Sequence, residues 1–189
     1  MEWFEKYQDK LGVRYQTFHR LFSIASERKL KNIVETGTSR GKDKFYYLRP
    51  KINWKDGMST ILFAEYAQLN KGQLWTCDID AKNIRNASIF LNDFKLHANL
   101  IVSDSLKFLE DFNETIDVLY LDSHDGNLPG ANEHQLKEAQ LSIDKVNSNG
   151  LIMLDDKGQK TELSIPFIIQ KGWEIIFETK HQVIFQKVT

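Results

Sequence analysis

Hydrophobic positions in this chain follow two different patterns, and the change between them organises the sequence. Near the start they recur at helical spacing, first at Trp3, Phe4, Tyr7 and Leu11, then at Phe18, Leu21, Phe22 and Ala25. That spacing predicts helix over residues 2–29, broken near Gly12 and Val13. From residue 32 onward, short apolar runs alternate with amphipathic stretches. The runs Asn32–Thr36, 73–77, 97–102, Ile116–Leu121 and 151–154 read as strands. Helices are expected between them at 60–69 with Ser59 as N-cap, at 82–92, at 105–111 and at 131–147, and a last one at 164–170. Ile116–Leu121 is apolar at nearly every position, as suits a strand covered on both faces of a parallel sheet. The last two runs, Trp173–Glu178 and 182–187, lie too close together for a crossover helix, so they must pair antiparallel.

This order predicts a doubly wound α/β fold, with 189 residues in a single domain. Crossover connections place the C-terminal ends of the parallel strands, and with them the functional loops, on one edge. Those ends carry Glu35, Asp78, Asp122, and the pair Asp155 and Asp156. The apolar stripes of the N-terminal helices either cover the sheet or form the contact of a homodimer. Residues 42–55 are polar, aromatic and rich in lysine, and they read as an inserted loop that closes over the site as a lid.

Composition narrows the partners. Hydrophobic residues make up 41% and charged residues 27%, as in an ordinary globular protein. The net charge of -1 and the absence of a long basic cluster argue against a nucleic-acid partner. One cysteine, Cys77, excludes a disulfide within the chain. No apolar run approaches a membrane span and no apolar signal core is seen, so a cytoplasmic protein without a membrane partner is expected.

The first strand leads into Glu35-Thr36-Gly37-Thr38-Ser39-Arg40-Gly41. Its glycines let backbone approach a ligand closely, and its N–H groups suit a carboxylate or phosphate. Gly41-Lys42 is followed by Asp43, so this is not a phosphate-binding loop of the ATPase kind, and it lacks the G-x-G-x-x-G of NAD-linked enzymes. Asp78, one strand over, suits the hydroxyls of a ribose, and Asp80 suits the N-cap of the next helix. Asp104 either reaches a base edge or caps the helix at 105. Asp122, Asp155 and Asp156 end two strands expected to be neighbours. Carboxylates that close need a proton or a cation, and oxygen donors suit Mg²⁺ or Mn²⁺. The other reading is that they simply face water. His124 is a candidate proton acceptor, with Lys157 and His134 weaker ones. His19, His97 and His181 read as structural or surface residues.

These segments together resemble the class I S-adenosylmethionine-dependent methyltransferases. Ile33-Val34-Glu35-Thr36-Gly37-Thr38 is similar to the first motif of that family, which passes under the methionine part of the cofactor. Trp75-Thr76-Cys77-Asp78-Ile79-Asp80 is similar to the second, whose acid holds the ribose, and Asp104-Ser105 to the segment that approaches the adenine. The terminal strand pair is what the family's mostly parallel seven-stranded Rossmann-like sheet requires. Asp122-Ser123-His124-Asp125, Asp155-Asp156 and the Gly57-Met58-Ser59-Thr60 helix start further resemble one branch. That branch holds metal-dependent O-methyltransferases, cephalosporin-hydroxylase-like proteins and macrolide-sugar methyltransferases. The resemblance implies methyl transfer from S-adenosylmethionine to a small-molecule acceptor, assisted by Mg or Mn. It implies cofactor contacts from Glu35, Gly37, Thr38, Ser59, Asp78, Asp104 and Asp122, and metal ligation by Asp122, Asp155 and Asp156. His124 and Lys157 are then the candidate catalytic residues. A metal-independent methyltransferase and a non-catalytic cofactor-binding protein are the alternatives.

Overall fold

The computed structural model of the protein describes residues 1–42 and 49–188. The chain opens with short helices α1 (Glu2–Glu5) and α2 (Gln8–Leu11), a 3₁₀ turn at Gly12–Arg14, and the longer α3 (Tyr15–Glu27). Gly12 takes φ +52°, which ends α2 where the sequence pattern breaks. The sheet then builds as β1 (Asn32–Thr36), α4 (Ser59–Leu69), β2 (Gln73–Asp78), α5 (Ala81–Phe94), β3 (Asn99–Val102), α6 (Ser105–Asp111), β4 (Ile116–Leu121), α7 (Ala131–Ser142) and β5 (Val146–Leu154). It closes with α8 (Ser164–Gln170), β6 (Trp173–Glu178) and β7 (Val183–Lys187).

The seven strands lie in the order β3-β2-β1-β4-β5-β7-β6. β7 runs antiparallel to both β5 and β6, and the other pairings are parallel. This is a Rossmann-like, mostly parallel seven-stranded sheet with the terminal antiparallel pair that the sequence led one to expect. Its central strands alternate between two buried layers, as the two-residue period of a strand requires. Val118 and Tyr120 of β4 and Leu151 and Met153 of β5 meet a layer built by α1 to α5. Leu119, Leu121, Ile152 and Leu154 meet the layer of α6, α7 and α8.

The N-terminal stripes belong to the first layer. Phe4 and Tyr7 have no exposed surface, and the Trp3 ring packs edge-on to Phe22 at 5.3 Å. These residues cover their own sheet, so the apolar surface that suggested a homodimer is already used within the chain. Most of the insertion's aromatic residues, Phe45, Tyr46 and Tyr47, fall outside the described residues, and with them much of the expected lid. Its described ends are joined by an antiparallel bridge between Lys42 and Lys51, and Ile52 and Trp54 pack on the core.

One cap differs from the sequence expectation. Ser59 is the first helical residue of α4 rather than its cap. Met58 precedes it in the left-handed region, and the amide of Thr60 donates to Ser39 Oγ at 3.2 Å. The helix start is therefore capped from across the fold by the β1 turn.

Candidate active site

Ladder hydrogen bonds extend past the strand ends and fix the loops there. Gly37 N donates to Cys77 O at 2.9 Å, Asp122 N to Thr36 O at 3.0 Å, and Ser103 N to Asp78 O at 3.0 Å. The loops after β1, β2, β4 and β5 line a cleft of about 900 Å³. It runs from Asp78 and Asn83, over Gly37 and Thr38, past Asp122 and His124, to Asp155, Asp156 and Lys160. A pocket of about 90 Å³ adjoins it between Ile79, Ser103, Ser105 and His134.

Gly37 sits at φ +80°, and a Cβ there would lie 2.4 Å from the backbone oxygen of Asp122. Its glycine is thus required by the close approach of β4 as well as by the turn. Beneath this turn lies a hydroxyl–carboxylate network. Thr60 Oγ1 donates to Glu35 Oε2 at 2.7 Å, accepts from Ser39 N at 2.9 Å, and lies 3.1 Å from Thr38 Oγ1. Glu35 has no exposed surface, and it holds the turn from behind without lining the cleft. Burial pushes its carboxyl up to about 7, with the hydroxyls of Ser59, Thr76 and Thr60 pulling it down and Asp78 adding to the rise. Ser59 and Thr38 do line the cleft.

Asp78 is held by its own loop. Oδ1 accepts from Asp80 N at 2.8 Å, Oδ2 accepts from Thr38 N at 3.4 Å, and Asn83 Nδ2 reaches both oxygens at 3.1 and 3.2 Å. The carboxylate is thus fixed in the wall shared by the cleft and the smaller pocket. Asp80 caps α5, accepting from Lys82 N at 2.8 Å. Asp104 caps α6 through Leu106 N and Lys107 N while lining the small pocket. Behind that pocket, His134 Nε2 lies 2.9 Å from Ser105 Oγ and 3.1 Å from Ser123 Oγ, and Ser123 donates to the buried Glu138 at 2.7 Å. His124 lines both spaces, its ring 5.1 Å from that of His134.

At the other end of the cleft β4 and β5 bring Asp122, Asp155 and Asp156 together, and two cations meet them. Lys160 Nζ donates to Asp122 Oδ1 at 2.8 Å and lies 3.5 Å from Asp156 Oδ2. Arg14 Nε donates to Asp155 Oδ2 at 3.2 Å, and its terminal nitrogen lies 3.6 Å from Asp156 Oδ1. The Tyr120 hydroxyl donates to Asp155 Oδ2 at 2.9 Å. Burial and Asp155 push the Asp122 carboxyl well up, while Lys160 holds it down. Asp156 takes φ +52°, a left-handed conformation that bends the chain between the two cations.

As arranged, this donor set does not fit a divalent ion. Among the described residues no group of three or more acidic, histidine or cysteine side chains is set to hold a metal. The position between Asp122 and Asp156 is taken by an ammonium, and Asp155 is turned to a guanidinium and a hydroxyl. The charge of the clustered acids is met instead by two cations of the chain itself, Lys160 and Arg14. Lys157, a sequence candidate for catalysis, lines the cleft with its ammonium donating to Glu178 at 2.6 Å. His181, read from sequence as structural or surface, lines the cleft, whereas His19 packs among the rings of Phe4 and Tyr15.

A mostly parallel sheet carrying an acid after its second strand, a glycine turn after its first and a cleft across both has the arrangement that suits a nucleotide-type cofactor. The chain belongs to the methyltransferase domain family, whose model matches residues 54–157. No curated protein sequence matches it. Among solved structures it resembles the methyltransferase PaMTH1 of Podospora anserina, solved with S-adenosylhomocysteine. The TM-score is 0.66 at 14% identity, over 100% of this chain and 86% of that one. It also resembles a Staphylococcus aureus protein provisionally described as a caffeoyl-CoA O-methyltransferase, with TM-score 0.68 at 14% identity over 98% and 92%. A third likeness is to an rRNA methylase of Streptococcus thermophilus, with TM-score 0.62 at 14% identity over 94% and 97%. At such identities the likeness carries the fold alone. No helix among the described residues is long and apolar enough to cross a membrane.

Proposed function

We propose that this methyltransferase binds S-adenosylmethionine at the Asp78 end of the cleft and methylates a hydroxyl of a small molecule, such as a sugar or secondary metabolite, at the Asp155 end. The observation that carries the reading is the continuity of one cleft from Asp78, past Gly37, to the charged cluster. The donor set fits the cofactor. Asp78 presents a fixed carboxylate able to accept from two ribose hydroxyls, and the adjoining pocket beside Ile79 and His134 suits a flat base. The S-adenosylhomocysteine in the Podospora anserina neighbour supports this choice.

When bound, S-adenosylmethionine supplies a sulfonium-activated methyl group. The chain's own residues place the acceptor and receive its proton. Gly37 and Asp122, fixed against each other, set where the two halves of the cleft meet. The acidic and basic groups beyond them suit a hydroxylated, polar acceptor. His124 lines the cleft between the two ends and takes the hydroxyl proton as the oxygen gains its methyl group. No step uses a metal, because Lys160 and Arg14 already offset the acids. An RNA acceptor like that named for the Streptococcus thermophilus neighbour is disfavoured by the net charge of -1.

The test is calorimetry with S-adenosylhomocysteine, in EDTA throughout. The wild type is expected to bind. Asp78→Ala should bind about 10- to 150-fold more weakly, since a hydrogen bond to a charged group contributes about 1.5–3 kcal/mol. Equal affinity for the two proteins would refute the ribose assignment.

A further inference from the structure

Among the described residues Lys160 is the most deeply buried basic side chain. Its side chain is 1% exposed, yet it lines the cleft. A lysine that buried is costly unless paired, and an apolar residue would fill the same space without that cost. It arrives on the 3₁₀ turn Gln159–Thr161, between β5 and α8, and ends among the acids of both strand ends. An ammonium has three N–H donors. One goes to Asp122 Oδ1 at 2.8 Å, and Asp156 Oδ2 at 3.5 Å lies beyond good hydrogen-bond length. Donor capacity therefore remains on this ammonium, which borders the cleft at the end where the acceptor is expected.

We propose that the Lys160 ammonium is a built-in replacement for a divalent cation: it occupies the position between Asp122 and Asp156 and holds the acceptor's oxygen there. The inference deepens the methyl-transfer reading and rests on it. A fixed ammonium places an oxygen and stabilises the negative charge that develops on it as its proton leaves for His124. Unlike a divalent ion, it carries a single charge and acts on the acceptor through its remaining N–H donors rather than by chelation. Arg14 completes the replacement from the N-terminal segment by neutralising Asp155, which is only 3% exposed.

The substitution predicts its own reversal. Removing the ammonium while keeping the three carboxylates leaves an uncompensated acidic site with oxygen donors, the chemistry that suits Mn²⁺. Mn²⁺ binding is read by electron paramagnetic resonance for wild type, Lys160→Ala, Lys160→Met and Lys160→Arg, with S-adenosylhomocysteine affinity measured in parallel. Wild type and Lys160→Arg are expected to bind no Mn²⁺ up to about 1 mM, the weak limit of carboxylate sites. Lys160→Ala and Lys160→Met should bind it at least about tenfold more tightly than wild type. Asp155→Asn added to either should remove that gain. Lys160→Met keeps the length of the stem, so the test stands if the alanine variant is unstable. Mn²⁺ binding by wild type that Asp155→Asn abolishes would overturn the proposal, and so would the absence of any gain in a folded Lys160→Met protein. Loss of S-adenosylhomocysteine binding by wild type would instead count against the cofactor reading, which separates the two failures.

Discussion

Replacing Glu35 by glutamine isolates the energetics of the network that holds the glycine turn. The carboxyl has no exposed surface, Oε2 accepts from Thr60, and Oε1 accepts no hydrogen bond among the described residues. Burial raises it from 4.5 to about 7. The unfolded chain releases this proton near the ordinary value, and the folded chain keeps it longer. Between those two values the folded state binds more protons, so its stability falls as pH rises through the window and levels off above about 7. A rise of this size corresponds to about 3 kcal/mol, at about 1.4 kcal/mol for each tenfold change in acidity. Glutamine does not titrate. The stability of Glu35→Gln relative to wild type should therefore increase by about 3 kcal/mol between about pH 4 and pH 8. Urea unfolding of both proteins at the two pH values gives the difference directly, and other titrating groups cancel between them. A gap that changes by less than about 1 kcal/mol would refute the claim that this carboxylate is ionised at a cost above neutrality.

Other expectations follow from the same edge of the sheet. Gly37→Ala forces a side chain into a left-handed position 2.4 Å from Asp122 O, and thermal unfolding should show a loss of about 2 kcal/mol or more. Arg14→Met leaves Asp155 with one hydroxyl donor in a buried place. It should cost about 3–5 kcal/mol in urea unfolding, and much of that should return in the double variant Arg14→Met with Asp155→Asn.

The sheet was legible because its information is local. The period of apolar positions marked the core of each strand, though the polar first half of β5, from Val146 to Gly150, read as helix end and turn, and the short spacing of the last two runs dictated their antiparallel pairing. Strand ends were legible for the same reason, so Asp78, Asp122, Asp155 and Asp156 could be placed on one edge. The cations that answer them were not. Arg14 comes from a turn more than a hundred residues upstream of Asp155, and Lys160 looks no different in sequence from Lys157, three residues earlier. Only the fold distinguishes the buried lysine, which meets Asp122 and Asp156, from the one on the cleft wall that meets Glu178. The reading of Ser59 as a cap failed likewise. A helix start can be satisfied by a distant side chain, and here Ser39 does it across the β1 turn. Glu35, assigned to the cofactor from resemblance, is buried behind the glycine turn and does not line the cleft, because its carboxyl is turned to the hydroxyl of Thr60.

The most direct test of the central claim is a crystal structure of the wild-type protein grown with S-adenosylhomocysteine. The predicted result has the ribose hydroxyls on the Asp78 carboxylate, the base in the pocket beside Ile79 and His134, and the sulfur near Gly37, facing Asp122 and Lys160. A nucleoside bound elsewhere, or a cleft still empty at saturating ligand, would contradict it.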